Sequence, residues 1–137
     1  MVEKIVPKLW GRELWITNND LYCGKILELT RAFRCSMHYH KDKTETFYLL
    51  KGLVFMEVDG KEYFMGGEGK KNADIEDTIY IEPGVKHRFT GLEDSRILEI
   101  STHHEDRDSY RDEVSGKVDL NKIMPEMGYE FKGGIWR

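Results

Sequence analysis

Only two of the 137 residues are cysteine and only three are proline. Two thiols, Cys23 and Cys35, without Cys-x-x-Cys spacing, supply neither a disulfide framework nor a thiolate metal knot; in a reducing compartment they read as buried free thiols. Long apolar runs are missing as well. A membrane helix needs about 20 consecutive apolar residues, and nothing in a chain with 34% charged residues approaches that. The N-terminal residues lack the apolar stretch of a signal peptide, so a cytoplasmic location is expected. Basic charge is in deficit: 21 Lys and Arg face 25 Asp and Glu, for a net charge of −4 with His neutral. The Lys and Arg residues are dispersed and form no stripe, which argues against nucleic acid as a partner. Helical periodicity, internal repeats and low-complexity linkers are also absent.

What the chain does have is alternation. Apolar and polar residues exchange places every second position over short runs bounded by turn residues, which predicts strands near 13–17, 22–30, 36–40, 45–51, 53–58, 61–65, 78–81, 87–90 and 96–101. Asp59-Gly60, between two such runs, is a hairpin signal. Many short antiparallel strands in a chain of this length imply an all-β barrel or sandwich with one core, a single domain over residues 1–137. The stretch 66–72, rich in Gly and Lys, reads as a solvated loop rather than a phosphate cradle, since no helix start follows it. The tail from Val118 carries Met124, Met127, Tyr129, Phe131, Ile135 and Trp136, too apolar to stay in water. It is expected to pack on the barrel or on a second subunit. With Trp10 and Trp15 it supplies the apolar surface on which a homodimer is expected.

The run from His38 to Glu45, together with the distant Pro83-Gly84-Val85-Lys86-His87, carries the chemistry. His38 and His40 are two apart, so on a strand both rings point to one face, as no helix would allow. Four residues then separate His40 from Glu45, enough for a turn that returns a carboxylate beside the rings. With His87 the set is three imidazoles and one carboxylate. Such a mixed nitrogen and oxygen site suits Mn, Fe, Co, Ni or Zn better than Mg or Ca and leaves positions open for substrate. Parity then sorts the remaining polar residues. In strand 22–30 either Lys25 or Glu28 faces inward, and the apolar Leu27 and Leu29 on the lysine's side favour Lys25. In strand 96–101 Glu99 shares a face with Ile97 and Ser101, and parity leaves open whether that face is wet or enclosed. His103 and His104, in a charged turn, read as solvated. Phe47, Tyr48 and Tyr39 are candidate pocket walls, with core packing as the alternative. Lys41, Lys43, Lys86 and Arg88 are expected around the mouth.

The spacing His-x-His, four residues, Glu, six residues, Gly over His38–Gly52 resembles the first motif of the cupin superfamily, and the segment from Pro83 to His87 resembles the second. The departures are Glu76 where that motif's leading Gly is usual and Gly91 where an Asn often follows the last His. The resemblance implies a small double-stranded β-barrel, or jelly roll, with its core over about 9–102 and residues 103–137 packed against it or a partner subunit. Over roughly residues 9–111 the chain is similar, more specifically, to the D-lyxose ketol-isomerases and to the cupin domain of type II mannose-6-phosphate isomerases. That likeness implies an aldose–ketose isomerase acting through an enediol on a small sugar such as D-lyxose or D-mannose. It implies a divalent ion, Mn²⁺ foremost, on His38, His40, Glu45 and His87. It also implies proton transfer by Glu99 and Lys25 and a sugar contact from Arg111. A sugar-phosphate isomerase, an Fe(II)-dependent oxygenase and a non-catalytic sugar-binding cupin remain as alternatives.

Overall fold

Alternating side chains bury one face of each strand, and two sheets meet on those faces. The computed structural model describes residues 2–68 and 73–137. In it the first sheet runs in the order β1 (Lys4–Lys8), β2 (Gly11–Asn18), β3 (Cys23–Leu29), β12 (Ser95–Ser101), β6 (Glu45–Lys51), β10 (Thr78–Ile81). The second runs β13 (Tyr110–Arg111), β5 (His38–Tyr39), β11 (His87–Gly91), β7 (Val54–Val58), β8 (Lys61–Met65), β9 (Asp74–Ile75), with β4 (Phe33–Arg34) and β14 (Gly116–Lys117) attached beside β11. The expected all-β jelly-roll barrel is therefore present, and the expected strands recur with small shifts. The run 36–40 narrows to two paired residues. β1 was not anticipated, because Pro7 interrupts its pattern; proline is tolerated there because β1 is the sheet's edge. Asp59 and Gly60 close the β7–β8 hairpin with φ of 49° and 78°, the left-handed pair a tight hairpin requires. At Gly91 a Cβ would lie 2.9 Å from both Leu29 Cγ and the Thr30 carbonyl oxygen. This departure from the motif leaves room for a close crossing of the two sheets.

Between the sheets lie Trp10, Leu27, Leu29, Phe47, Val54, Met56, Met65, Phe89 and Ile97. β7 and β8 are buried on both faces, since Phe55 and Phe64 point away from this core into a second one. The C-terminal segment fills that second core. α1 (Leu120–Glu126), capped by the Asp119 side chain on the Asn121 N–H, sets Leu120 and Met124 against Phe55, Phe64 and Leu92, and Met127 and Tyr129 continue the contact. Leu120, Met124 and Met127 share one helix face; a single short helix among strands gave too brief a signal to read beforehand. The tail thus packs on its own barrel. β15 (Phe131–Lys132) pairs with β16 (Ile135–Trp136) beyond it, leaving Phe131 and Ile135 exposed. Of the loop at 66–72, residues 69–72 lie outside the described residues.

Trp10 and Trp15 are buried within the single chain, at 5% and 8% exposure, so they do not supply the intersubunit surface expected of them. An apolar row lies instead on the outer face of the first sheet, exposed at Ile5 and Tyr48 and half-buried at Leu14, Ile26 and Leu98. Register aligns Ile5, Leu14, Ile26, Leu98 and Tyr48 in one row across five adjacent strands, with Ile100 exposed nearby. Cys23 and Cys35 are free and buried, as expected. Among the described residues, no helix is long and apolar enough to cross a membrane.

Met124 is 2% exposed in the second core. Met124→Ala should lower stability by about 2–5 kcal/mol, the usual range for emptying a packed methionine site, measured as a shift in urea midpoint; an unchanged midpoint would show that the helix does not dock as described.

Candidate metal centre

The strand pairing brings the three expected histidines together. His38 on β5 is the cross-strand partner of His87 on β11, and His40 follows two residues after His38, on the same side. The ring centroids are 4.3 Å (His38–His87), 5.1 Å (His38–His40) and 5.7 Å (His40–His87) apart. Each ring is tied at the other end. Nδ1–H of His38 donates to the Ser36 carbonyl at 2.7 Å, that of His87 to the Val85 carbonyl at 2.9 Å and that of His40 to the Asp108 carbonyl at 2.9 Å. A neutral imidazole that gives its Nδ1 proton to a carbonyl keeps its lone pair on Nε2, the arrangement that prepares a histidine to ligate a metal. Ring nitrogens of all three lie within 4.8 Å of one another, a group that could hold a metal ion. Burial, reinforced by the neighbouring His87 ring, pushes the pKa of His38 down to about 3, against its carbonyl bond. Burial lowers that of His40 as well, despite Glu45.

Glu45, first residue of β6, is also buried. Its Oε1 lies 3.5 Å from His40 Nε2 and its Oε2 3.1 Å from His87 Nε2. Burial would raise its pKa, but His87, Lys43 and His40 outweigh burial and hold it well below the usual carboxylate range. Glu45 Oε2 and His87 Nε2 are the buried side-chain atoms without a hydrogen-bond partner among the described residues. Two such acceptors 3.1 Å apart are satisfied by a cation that contacts both. The donor set therefore fits a divalent transition ion. Glu45 adjoins two of the three rings and stands outside the tight His38–His40–His87 group.

The cavity in front of this cluster has a volume of about 100 Å³, and its lining includes Lys25, Glu99 and Arg111. Lys25 and Glu99 are 1% and 4% exposed, which decides the question parity left open: both point inward, and Glu28 does not. They are directly opposite in the β3–β12 register. Although opposite each other, they pair with different partners. Lys25 Nζ sits 3.3 Å from Glu13 Oε1 and 4.2 Å from the centroid of the Trp15 ring. Burial of Glu13 is outweighed by Lys25 and Lys8, so its pKa is lowered. The lysine that touches Glu99 is Lys43, whose Nζ lies 2.8 Å from Glu99 Oε2 and 3.0 Å from Glu45 Oε1. Ser101 Oγ donates to the same Glu99 oxygen at 2.9 Å. Lys43, placed at the mouth by its position in a charged turn, is 3% exposed. Burial opposes its charge, but the two carboxylates win and raise its pKa.

His104 is the other cavity residue that sequence reasoning passed over. Its Nδ1 accepts from Lys43 Nζ at 2.9 Å and its Nε2–H donates to Asp106 at 2.9 Å; burial, then the ammoniums of Lys43 and Lys25, lower its pKa. The solvated position expected of both histidines is thus wrong for His104, and nothing in the local sequence separates it from the half-buried His103. Arg111 stands opposite His38 in the β13–β5 register, on the cavity's rim. Phe47 lines the cavity, whereas Tyr48 faces outward and Tyr39 stacks on Tyr110 at 5.1 Å. Of the remaining expected mouth residues, Lys86 pairs with Asp112, Arg88 with Glu57 and Glu113, and Lys41 lies over the Tyr110 ring.

In an unfolded chain a histidine takes up its proton near 6.5, whereas folded His38 resists until about 3. Between those values the unfolded state binds more protons, so stability falls as pH falls. The urea midpoint of metal-free protein should drop on acidification across that window, with a shallower slope in His38→Gln; a flat profile in the native chain would contradict the neutral, buried ring.

The sequence matches the family model described as cupin domain over residues 29–101. No curated protein matches the chain. Among solved structures it is similar to Pac13, a nucleoside dehydratase, with 10% identity and a TM-score of 0.66 over 89% of this chain and 93% of that one. It is similar to KdgF from Halomonas sp., with 14% identity and a TM-score of 0.58 over 70% and 81% of the two chains. Oxalate decarboxylase from Bacillus subtilis shares 16% identity at a TM-score of 0.61, over 79% of this chain and 29% of that one. At these identities the likeness is one of fold. With the family match covering more than half of its length and the three histidines gathered between its sheets, this chain belongs to the cupin domain family.

Proposed function

We propose that this protein is a metal-dependent aldose–ketose isomerase acting on a small sugar, such as D-lyxose or D-mannose, through an enediol. The observation that carries the reading is the group of three preset imidazoles beside a cavity that His38 and His40 line together with a buried carboxylate, Glu99, outside the ligand set. His38, His40, His87 and Glu45 would hold a divalent ion, manganese foremost, and that ion would supply Lewis acidity toward the sugar's oxygens. Glu99 takes the proton from one carbon and returns it to its neighbour. Lys43, 2.8 Å away, balances the charge of Glu99 and keeps its carboxylate aimed. Lys25, steadied by Glu13 and Trp15, presents an ammonium to a substrate oxygen as charge develops there. Arg111 holds a hydroxyl at the rim.

Proteins of similar fold include a dehydratase and a decarboxylase, and a fold does not choose a reaction. An oxygenase would use the ligand set without needing Lys25 and Glu99. The presence of both, enclosed and opposite each other, favours proton transfer.

Metal analysis of the purified protein, joined to a screen of lyxose, xylulose, mannose, fructose and their phosphates, tests the reading. His40→Ala and His87→Ala should lose stoichiometric metal. Glu99→Gln and Lys25→Ala should keep it and lose isomerase activity by ~100-fold or more, the usual size of an acid/base contribution. Wild-type turnover in both of the latter would remove the proton-transfer roles, and a native protein that isomerises no sugar would remove the isomerase.

The reading includes a homodimer, supported by the apolar row on the outer face of the first sheet, where Ile5, Tyr48 and the nearby Ile100 are exposed. Light scattering at micromolar concentration should give twice the chain mass, and Ile100→Arg on that face should give the monomer; a native monomer would sink it.

A further inference from the structure

Two of the three histidines are aimed by their own strands. The carbonyls that fix His38 and His87 belong to Ser36 and Val85, each two residues upstream. His40 is different, because its carbonyl comes from Asp108, 68 positions away in the turn of 3-10 helix Asp106–Asp108. That carbonyl is useful only if the turn is held still against the segment after His40.

The side chain of Asp108 does the holding. Its Oδ1 accepts the Lys41 N–H at 2.8 Å and its Oδ2 the Asp42 N–H at 3.2 Å. One residue therefore engages three consecutive residues, 40 to 42, with its carbonyl and both carboxylate oxygens. Asp108 is 8% exposed, and among the described residues no Lys, Arg or His pairs with its carboxylate. A buried acid satisfied by main-chain N–H groups alone carries a desolvation cost without a countercharge. Its charge strengthens the two hydrogen bonds it accepts.

We propose that Asp108 is a positioning residue of the metal centre: its carboxylate clamps the backbone after His40 so that its carbonyl fixes the tautomer and aim of that ligand. This rests on the metal-binding reading of the histidines. Without the clamp, the carbonyl drifts and the His40 proton is free to move to Nε2, where it blocks ligation.

The test uses full-length Asp108→Ala and Asp108→Asn, with Glu105→Gln as a control in the same turn. Calorimetric titration with Mn²⁺ should show one site in each, weakened 10- to 100-fold in Asp108→Ala, the usual effect of removing a group that orients a ligand. Asp108→Asn should lie between, since an amide accepts one of the two N–H groups and turns its own NH₂ toward the other. Glu105→Gln should match the native chain. Long-range ¹⁵N–¹H NMR on the metal-free proteins should find His40 protonated on Nδ1 in the native chain and shifted toward Nε2 in Asp108→Ala. A role confined to stability would lower the melting temperature and leave tautomer and affinity alone. Native affinity and an Nδ1 proton in both variants overturn the proposal; if Asp108→Ala fails to fold, Asp108→Asn decides. A native chain that binds no Mn²⁺ or other divalent transition ion overturns the metal reading itself, and the affinity role of Asp108 with it.

Discussion

An imidazole that gives its Nδ1 proton to a main-chain carbonyl has only its Nε2 lone pair to offer, and here three such rings turn that lone pair toward one point. The rest of the site follows from this. Three neutral nitrogens in a buried space leave a carboxylate beside them short of positive charge, and Lys43 meets that need at one oxygen of Glu45 while the edge that Glu45 shares with His87 stays unsatisfied. The barrel's contribution is rigidity. β5 and β11 are paired, so the His38 and His87 rings stay in register without a metal to hold them.

Behind the histidines, the cavity wall is a chain of linked polar side chains: the Glu13–Lys25 ion pair steadied by Trp15 on one side, and Glu45, Lys43 and Glu99 with the His104 ring on the other. Each charge has a partner, which is the condition for keeping so many ionised groups out of water. Such a network fixes side chains in place before a ligand arrives, as an electrostatically prearranged site requires. The Lys43 ammonium couples the carboxylate beside the histidines to the one across the cavity, since one group contacts both Glu45 and Glu99.

The two cores divide the work of stability. The inner one, between the sheets, shapes the cavity and continues into it through Phe47 and Phe89. The outer one uses the C-terminal helix to cover the far face of β7 and β8. Those strands are therefore apolar at successive positions rather than alternating, as strands buried on both faces are.

Period-two alternation was enough to find several of the longer strands, to place His38 beside His40 and to favour Lys25 on an inward face, because a strand's side-chain direction depends only on residue number. The His-x-His spacing, with the later His87, also marked the three imidazoles that the fold gathers into one group. Three things lay beyond that local rule. Whether the Glu99 face was enclosed depended on the second sheet. Lys43 and His104 sit in connections, where no periodicity tells which side chain turns inward, and only the folded chain brings them to Glu99. The carbonyl that aims His40 comes from Asp108, and a hydrogen bond across 68 residues leaves no trace in the spacing of either partner. Sequence alone set the pattern of faces and the chemistry of the ligands; the tertiary fold decided which charges meet, because burial and pairing are properties of the space between sheets and not of any one strand.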